Sequence, residues 1–132
     1  MAPDALRAEM DAGVFFWGWE EAGELIAVMG IEHKSGVTLI RHAYTRTEHQ
    51  GRGIGAQLLE HLVSMTEGPL LVGTWAGATW AVAFYLRRGF RLLEPPAAAP
   101  LLDTYWRVPP RQKQPSVSVV LAYRDRPLPD GA

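Results

Sequence analysis

The sequence predicts an α+β fold: an antiparallel meander of strands followed by β-α-β-α-β-β. Three observations lead there. The first is three strand-like runs, Val14–Glu20, Leu25–His33 and Val37–Thr45, separated by the short turns Glu21-Ala22-Gly23 and Lys34-Ser35-Gly36. The second is a helical repeat at Ile54, Leu58, Leu59, Leu62 and Val63, opened by a glycine-rich stretch. The third is the continuously apolar run Leu70–Thr74 just beyond that helix, which reads as a buried strand and implies a crossover with local parallel pairing.

The elements can be justified in order. Leu6 and Met10 share one face of a short helix over Asp4–Asp11, with Gly13 as its stop. The aromatic run Val14–Glu20 is apolar on both faces, so it is expected to be covered on both sides or to meet a partner. Glu67-Gly68-Pro69 ends the glycine-led helix. Thr79 is placed to cap a second helix running to Arg88, with Gly89 at its C′ position. Phe90–Leu93 reads as a strand. Eight of the 10 prolines lie beyond Glu94, so an irregular segment follows, with a helical turn or two at Leu101–Trp106. Ser116–Tyr123 is the closing strand, and the Pro-rich end is expected to fray.

Composition sets limits on function. At 132 residues the chain is expected to form one domain, 1–132, with its core between about 14 and 123. A net charge of -1 provides no basic field for nucleic acid or an anionic membrane, so neither is expected as a partner. With no cysteine there are no disulfides, thiolate metal sites or Cys nucleophile, which fits a cytoplasmic setting. The four histidines have no metal-ligand spacing, so no metal is expected. No apolar run approaches the roughly 20 residues of a membrane span, and the N-terminal stretch does not read as a signal peptide.

The stretch His49-Gln50-Gly51-Arg52-Gly53-Ile54-Gly55-Ala56 is the centre of the functional reading. Glycines at alternate positions strip side chains from a helix start, where backbone N–H groups have no earlier turn to bond. Those amides and the positive end of the helix dipole suit a phosphate or pyrophosphate. Gly51, Gly53 and Ala56 satisfy the G-x-G-x-x-G/A dinucleotide pattern. Against that reading, Arg46–Gln50 intervene between strand and glycine, and the next strand ends Gly73-Thr74-Trp75 without a ribose-binding acid. No Gly-Lys-Ser/Thr follows, so it is not a P-loop.

Gln50-Gly51-Arg52-Gly53-Ile54-Gly55 resembles the R/Q-x-x-G-x-G/A motif of the GNAT acyltransferase superfamily. Downstream, Ala81-Val82-Ala83-Phe84-Tyr85 and then Gly89-Phe90 match the family's second landmark. The resemblance runs from about Val14 to Tyr123. It implies a GNAT-like mixed sheet with a V-shaped splay for acetyl-CoA, and transfer of acetyl to a primary amine by direct attack. It also implies that Gln50, Gly51, Arg52, Gly53, Ile54, Gly55 and Ala56 hold the donor's phosphates. The backbone of Tyr44 and Thr45 would pair with the pantetheine arm. Tyr85 would protonate the leaving thiolate, a reasonable task for a phenol of pKa near 10.

For a general base, His42 lies on the strand leading to the thioester, and a hydrogen-bonded strand histidine is the equal alternative. Glu48 is the other candidate; His33 and His61 read as solvated. Arg87 and Arg88 read as ordinary surface arginines. Trp75 and Trp80 either wall the acceptor pocket or pack in the core.

Two departures from the family pattern stand out. Ala78 occupies a position where the family often has asparagine. The usual first strand and helix are expected to be missing from the front, which would leave Val14–Glu20 with a free edge and favour a homodimer. An acyl-CoA-binding module with weak or lost catalysis is therefore the alternative to the enzyme. A dinucleotide-binding oxidoreductase ranks third.

Overall fold

A computed structural model describes residues 3–129. It contains α1 (Pro3–Asp11), β1 (Val14–Glu21), β2 (Glu24–Lys34), β3 (Val37–Thr45), α2 (Ile54–Met65), β4 (Leu70–Trp75), α3 (Thr79–Arg87), β5 (Phe90–Leu92), α4 (Pro95–Leu101) and β6 (Ser118–Tyr123). Mixed α+β architecture in the expected order is what the structure shows. The frayed end foreseen for the terminus reaches residues 130–132, which lie outside the described residues.

The contacts fall into two compact units. One draws on the stretch up to His33 and on Thr38–Glu67. In it β2 lies between β1 and β3, and β1 pairs antiparallel with β2 from Val14↔Glu32 to Glu21↔Glu24, with an irregularity between Trp19 and Glu20. The core of this unit is built from Ile26, Met29, Ile31, Leu39 and Ile40 of the strands, with Ile54, Leu58, Leu59 and Leu62 of α2. The i, i+4, i+8 spacing puts the helical set on one face. Gly30 has backbone where a Cβ would lie 2.8–3.0 Å from Val14, Phe16 and the Arg41 carbonyl, so only glycine fits between its neighbours.

The other unit draws on Lys34–Val37 and on the chain from Gly68 onward. Here β6 lies between β4 and β5 and is antiparallel to both, with Gly73↔Val120 and Phe90↔Tyr123 in register. Leu70, Leu71, Phe90, Val120 and Leu121 are fully buried.

Three local expectations need correction. Of the two alternatives for β1, coverage on both faces fails within the chain, since Phe15 is 58% exposed and half of the strand's residues are half-buried, which leaves the meeting with a partner as the expectation. Thr79 does not cap α3. It is the first helical residue, and Ala78 occupies the N-cap with no side chain to offer. Pro95–Leu101, expected to be irregular, is helical, because Pro95 and Pro96 fall in the first turn, where the missing N–H costs nothing. A single wide turn of π geometry over Leu102–Trp106 continues it.

Candidate active site

In the first unit the glycine loop forms as the sequence suggests. A short 3-10 turn at Thr47–His49 separates β3 from the glycines. Gly51 and Gly53 have φ of +84° and +80°, and Gly53 is the left-handed N-cap of α2. A Cβ at either position would meet nothing within 4 Å. Glycine is needed there for the backbone angle, not for space. The first helical closure is Gln57 N–H to the Gly53 carbonyl, 3.1 Å. The N–H groups of Ile54, Gly55 and Ala56 thus precede the helical hydrogen-bond ladder. The first turn of α2 has no acidic residue and its N-cap has no side chain, so the positive helix end is not neutralised from within.

Polar side chains tie this loop to the strands. Gln50 Nε2 donates to the Thr45 carbonyl, 3.2 Å, closing the loop on the end of β3. Arg46 Nε donates to the Leu25 carbonyl, 2.9 Å, and its Nη1 lies 3.9 Å from Glu48 Oε1. Arg52 does not project freely. Its Nη1 is 2.8 Å from Glu21 Oε1, its Nη2 donates to Glu21 Oε2 at 2.9 Å, and Nη1 donates to His49 Nδ1 at 2.7 Å. The side-chain bond from Arg52 holds the Glu21 carboxyl below its usual range, and the same bond raises Arg52. Tyr44 is exposed at the end of β3.

His42 belongs to the same unit and carries a signal absent from the sequence. Its φ is +55° inside a strand, a sparsely populated conformation for a residue with a Cβ. Its Nε2 lies 3.2 Å from Glu9 Oε2 of α1, yet makes no directed hydrogen bond and is shut off from solvent. This contact is electrostatic proximity, not hydrogen bonding. The ring stands 6.1 Å from that of Phe16. The side chain as a whole is 30% exposed, so its exposure belongs to the other ring atoms.

Tyr85 belongs to the second unit and is 5% exposed. Its ring is edge-on to Phe84 and Phe90, with centroids 5.2 and 5.3 Å away, and Phe90 in turn meets Tyr123 at 5.2 Å. Gly89, with φ of +95°, lets the chain turn over the Tyr123 ring: a Cβ there would lie 3.2 Å from it. Burial raises the Tyr85 phenol from 10.0 to about 12. The sequence argument assumed an ordinary phenol, so this is a correction: the dry setting makes a weaker acid that stays protonated throughout the neutral range.

Other candidates resolve simply. Glu48 and His61 are exposed, and the exposed His33 pairs its Nδ1 with Thr38 Oγ1 at 3.1 Å. Arg88 lies over the Phe84 ring, 5.5 Å from its centroid. Trp75 and Trp80 are 56% and 75% exposed, so the core alternative fails for both. Among the described residues, no group of three or more His, Asp or Glu is placed to hold a metal ion. Sequence reasoning missed Glu21, Glu9 and Trp106, whose indole lies against Gly73 of β4. Only the last had a signal, a glycine interrupting an apolar strand.

Comparison with known proteins agrees with this geometry. The family model described as "Acetyltransferase (GNAT) domain" matches residues 1–100. A search of curated proteins found no match. Among solved structures, the chain is similar to PaiA N-acetyltransferase from Thermoplasma acidophilum in complex with coenzyme A, at 15% identity and TM-score 0.63. That match covers 89% of this chain and 64% of the other, so this chain spans just under two thirds of that relative. It is similar to a GNAT family acetyltransferase from Elizabethkingia anophelis with acetyl-CoA bound, at 16% identity, TM-score 0.67, and 92% and 82% coverage. It is also similar to the ribosomal-protein-S18-alanine N-acetyltransferase from Escherichia coli, at 15% identity, TM-score 0.69, and 100% and 82% coverage. These likenesses describe the fold, and the family match over most of the sequence shows that the chain belongs to the GNAT acetyltransferase family.

Proposed function

We propose that the chain is an acetyl-CoA-dependent N-acetyltransferase that moves acetyl to a primary amine by direct attack. The observation that carries this reading is the N-terminus of α2, uncapped by any side chain behind left-handed Gly51 and Gly53. It is a ready anion cradle, and a cosubstrate with a pyrophosphate fits it. The acetyl-CoA or CoA bound to the Elizabethkingia and Thermoplasma relatives supports that choice.

In this reading the amides of Gly51–Ala56 and the side chain of Gln50 anchor the donor, while Tyr44 and Thr45 at the end of β3 align its arm. The Thr45 carbonyl already accepts from Gln50, which ties the loop to the strand end. Holding donor and amine together supplies proximity. The amine nitrogen attacks the thioester carbonyl, and His42 takes the proton it sheds. A backbone N–H of β3 near His42, whose φ is +55°, polarises the carbonyl and stabilises the oxyanion. As the tetrahedral intermediate collapses, the C–S bond breaks and Tyr85 gives its proton to the thiolate. The products are an amide and CoA. We further propose that the acceptor is a small molecule or peptide amine, that the enzyme works in the cytoplasm, and that it is a homodimer. No described helix is long and apolar enough to cross a membrane.

The unfilled N-cap at Ala78 favours a second reading, an acyl-CoA-binding module with weak catalysis. Release of free thiol from acetyl-CoA over a panel of amines separates the two, and a chain without cysteine adds no background. Turnover supports the enzyme. Protection from melting by acetyl-CoA without turnover on any amine supports the module.

A further inference from the structure

The loop arginine is already occupied. Arg52 donates from Nη2 to Glu21 Oε2 and from Nη1 to His49 Nδ1, and its Nη1 also lies 2.8 Å from Glu21 Oε1. The other arginine of the loop, Arg46, is spent on the Leu25 carbonyl and beside Glu48. Thus both guanidiniums next to the anion cradle face a carboxylate, and the chain as a whole has a net charge of -1. The cradle's unneutralised positive charge comes from backbone amides alone.

Glu21 is itself held in place. It ends β1, opposite Glu24 of β2, so its backbone is fixed by strand pairing. Its backbone position therefore does not depend on Arg52. Arg52, by contrast, is exposed on a loop between two glycines, with four rotatable side-chain bonds. When an anion arrives at the α2 N-terminus, the mobile partner is the arginine.

We infer that Glu21 competes with a donor phosphate for the Arg52 guanidinium, so that donor docking exchanges one carboxylate partner for a phosphate. This rests on the acetyl-CoA reading above. Arg–phosphate pairing is charge-assisted, as is the Glu21 pair it replaces, so the exchange is nearly balanced and easily tipped. The consequence is a donor affinity held below what the loop could reach, which favours release of the CoA product. A purely structural role for Glu21, fixing the loop in its binding shape, predicts the opposite sign on removal.

The test is acetyl-CoA binding to the full chain by titration calorimetry, in wild type, Glu21→Gln, Arg52→Gln and the double variant. Gln keeps the size of Glu21 and one acceptor oxygen, and removes its charge. Glu21→Gln is expected to tighten binding by about three- to tenfold. Arg52→Gln should weaken it, and the gain from Glu21→Gln should vanish in the double variant. Unchanged or weaker binding in Glu21→Gln overturns the proposal, as does a gain that survives without Arg52. Those results leave the acetyltransferase reading standing, because wild type still binds. Failure of every variant, wild type included, to bind acetyl-CoA overturns the donor reading and this proposal with it.

Discussion

Tyr85 meets Phe90 edge to face, with ring centroids 5.3 Å apart and planes at 67°. Phe90 is fully buried and repeats the arrangement with Tyr123 on β6. The phenol ring is thus positioned by a row of rings tied into the second unit's sheet, and the same row buries most of it. Held this way, the phenol is oriented and neutral.

That burial gives stability a specific pH dependence. The folded phenol titrates at about 12 and the unfolded one at 10.0. Below pH 10 both states are protonated and nothing is lost. Above it the unfolded state gives up its proton first, so stability falls as pH rises through the 10–12 window. Denaturant melts at pH 9 and 12 should show wild type losing about 2 kcal/mol more than Tyr85→Phe. Equal losses would show that the phenol is solvated.

Gly73 makes room for an aromatic ring. A Cβ there would lie 3.0–3.3 Å from Cε2, Cζ2 and Nε1 of Trp106. Gly73→Ala should therefore displace the indole and cost about 1–3 kcal/mol, read as a lower Tm. Adding Trp106→Phe should recover part of the loss. An unchanged Tm would mean that the segment after α4 yields freely.

The loop glycines can be separated by backbone angle. Gly53→Ala forces φ near +80° on a residue with a Cβ, at a cost of about 1–2 kcal/mol. It should also weaken acetyl-CoA binding, because the cradle amides shift. At Gly77 a Cβ would be in open space and no left-handed angle is present, so Gly77→Ala should lie within about 0.5 kcal/mol of wild type. Thermal melts with and without acetyl-CoA check both.

The proposed dimer has a concrete target. β1 stands at the end of its unit's strand order, and Phe15 on it is 58% exposed. Light scattering should give twice the chain mass, and Phe15→Lys should shift the particle toward monomer. A wild-type monomer at all concentrations would remove the dimer from the account.

How much could be read in advance depended on how local the cause was. α2 runs over Ile54–Met65 as expected, because its apolar spacing and glycine start lie within a dozen residues. Gly89 is at the C′ position of α3, as its place after the last helical turn suggested. α4 was missed because Pro95, Pro96 and Pro100 argue against a helix on composition, although proline suits a first turn. Tyr85 was found through the spacing of its motif, while its raised pKa needed the rings packed around it. The Glu21–Arg52 pair joins exposed residues 31 apart in the chain, and no periodicity announces such a pair. His42 was proposed for its chemistry. The positive φ beneath it carries no glycine to betray it.

The central claim is that Tyr85 protonates the leaving thiolate of acetyl-CoA. The most direct measurement is the rate of free-thiol release at saturating acetyl-CoA and amine, compared between wild type and Tyr85→Phe. The account predicts a kcat lower by about 100-fold, with acetyl-CoA affinity unchanged because the ring and its packing remain. An equal kcat in Tyr85→Phe would contradict it.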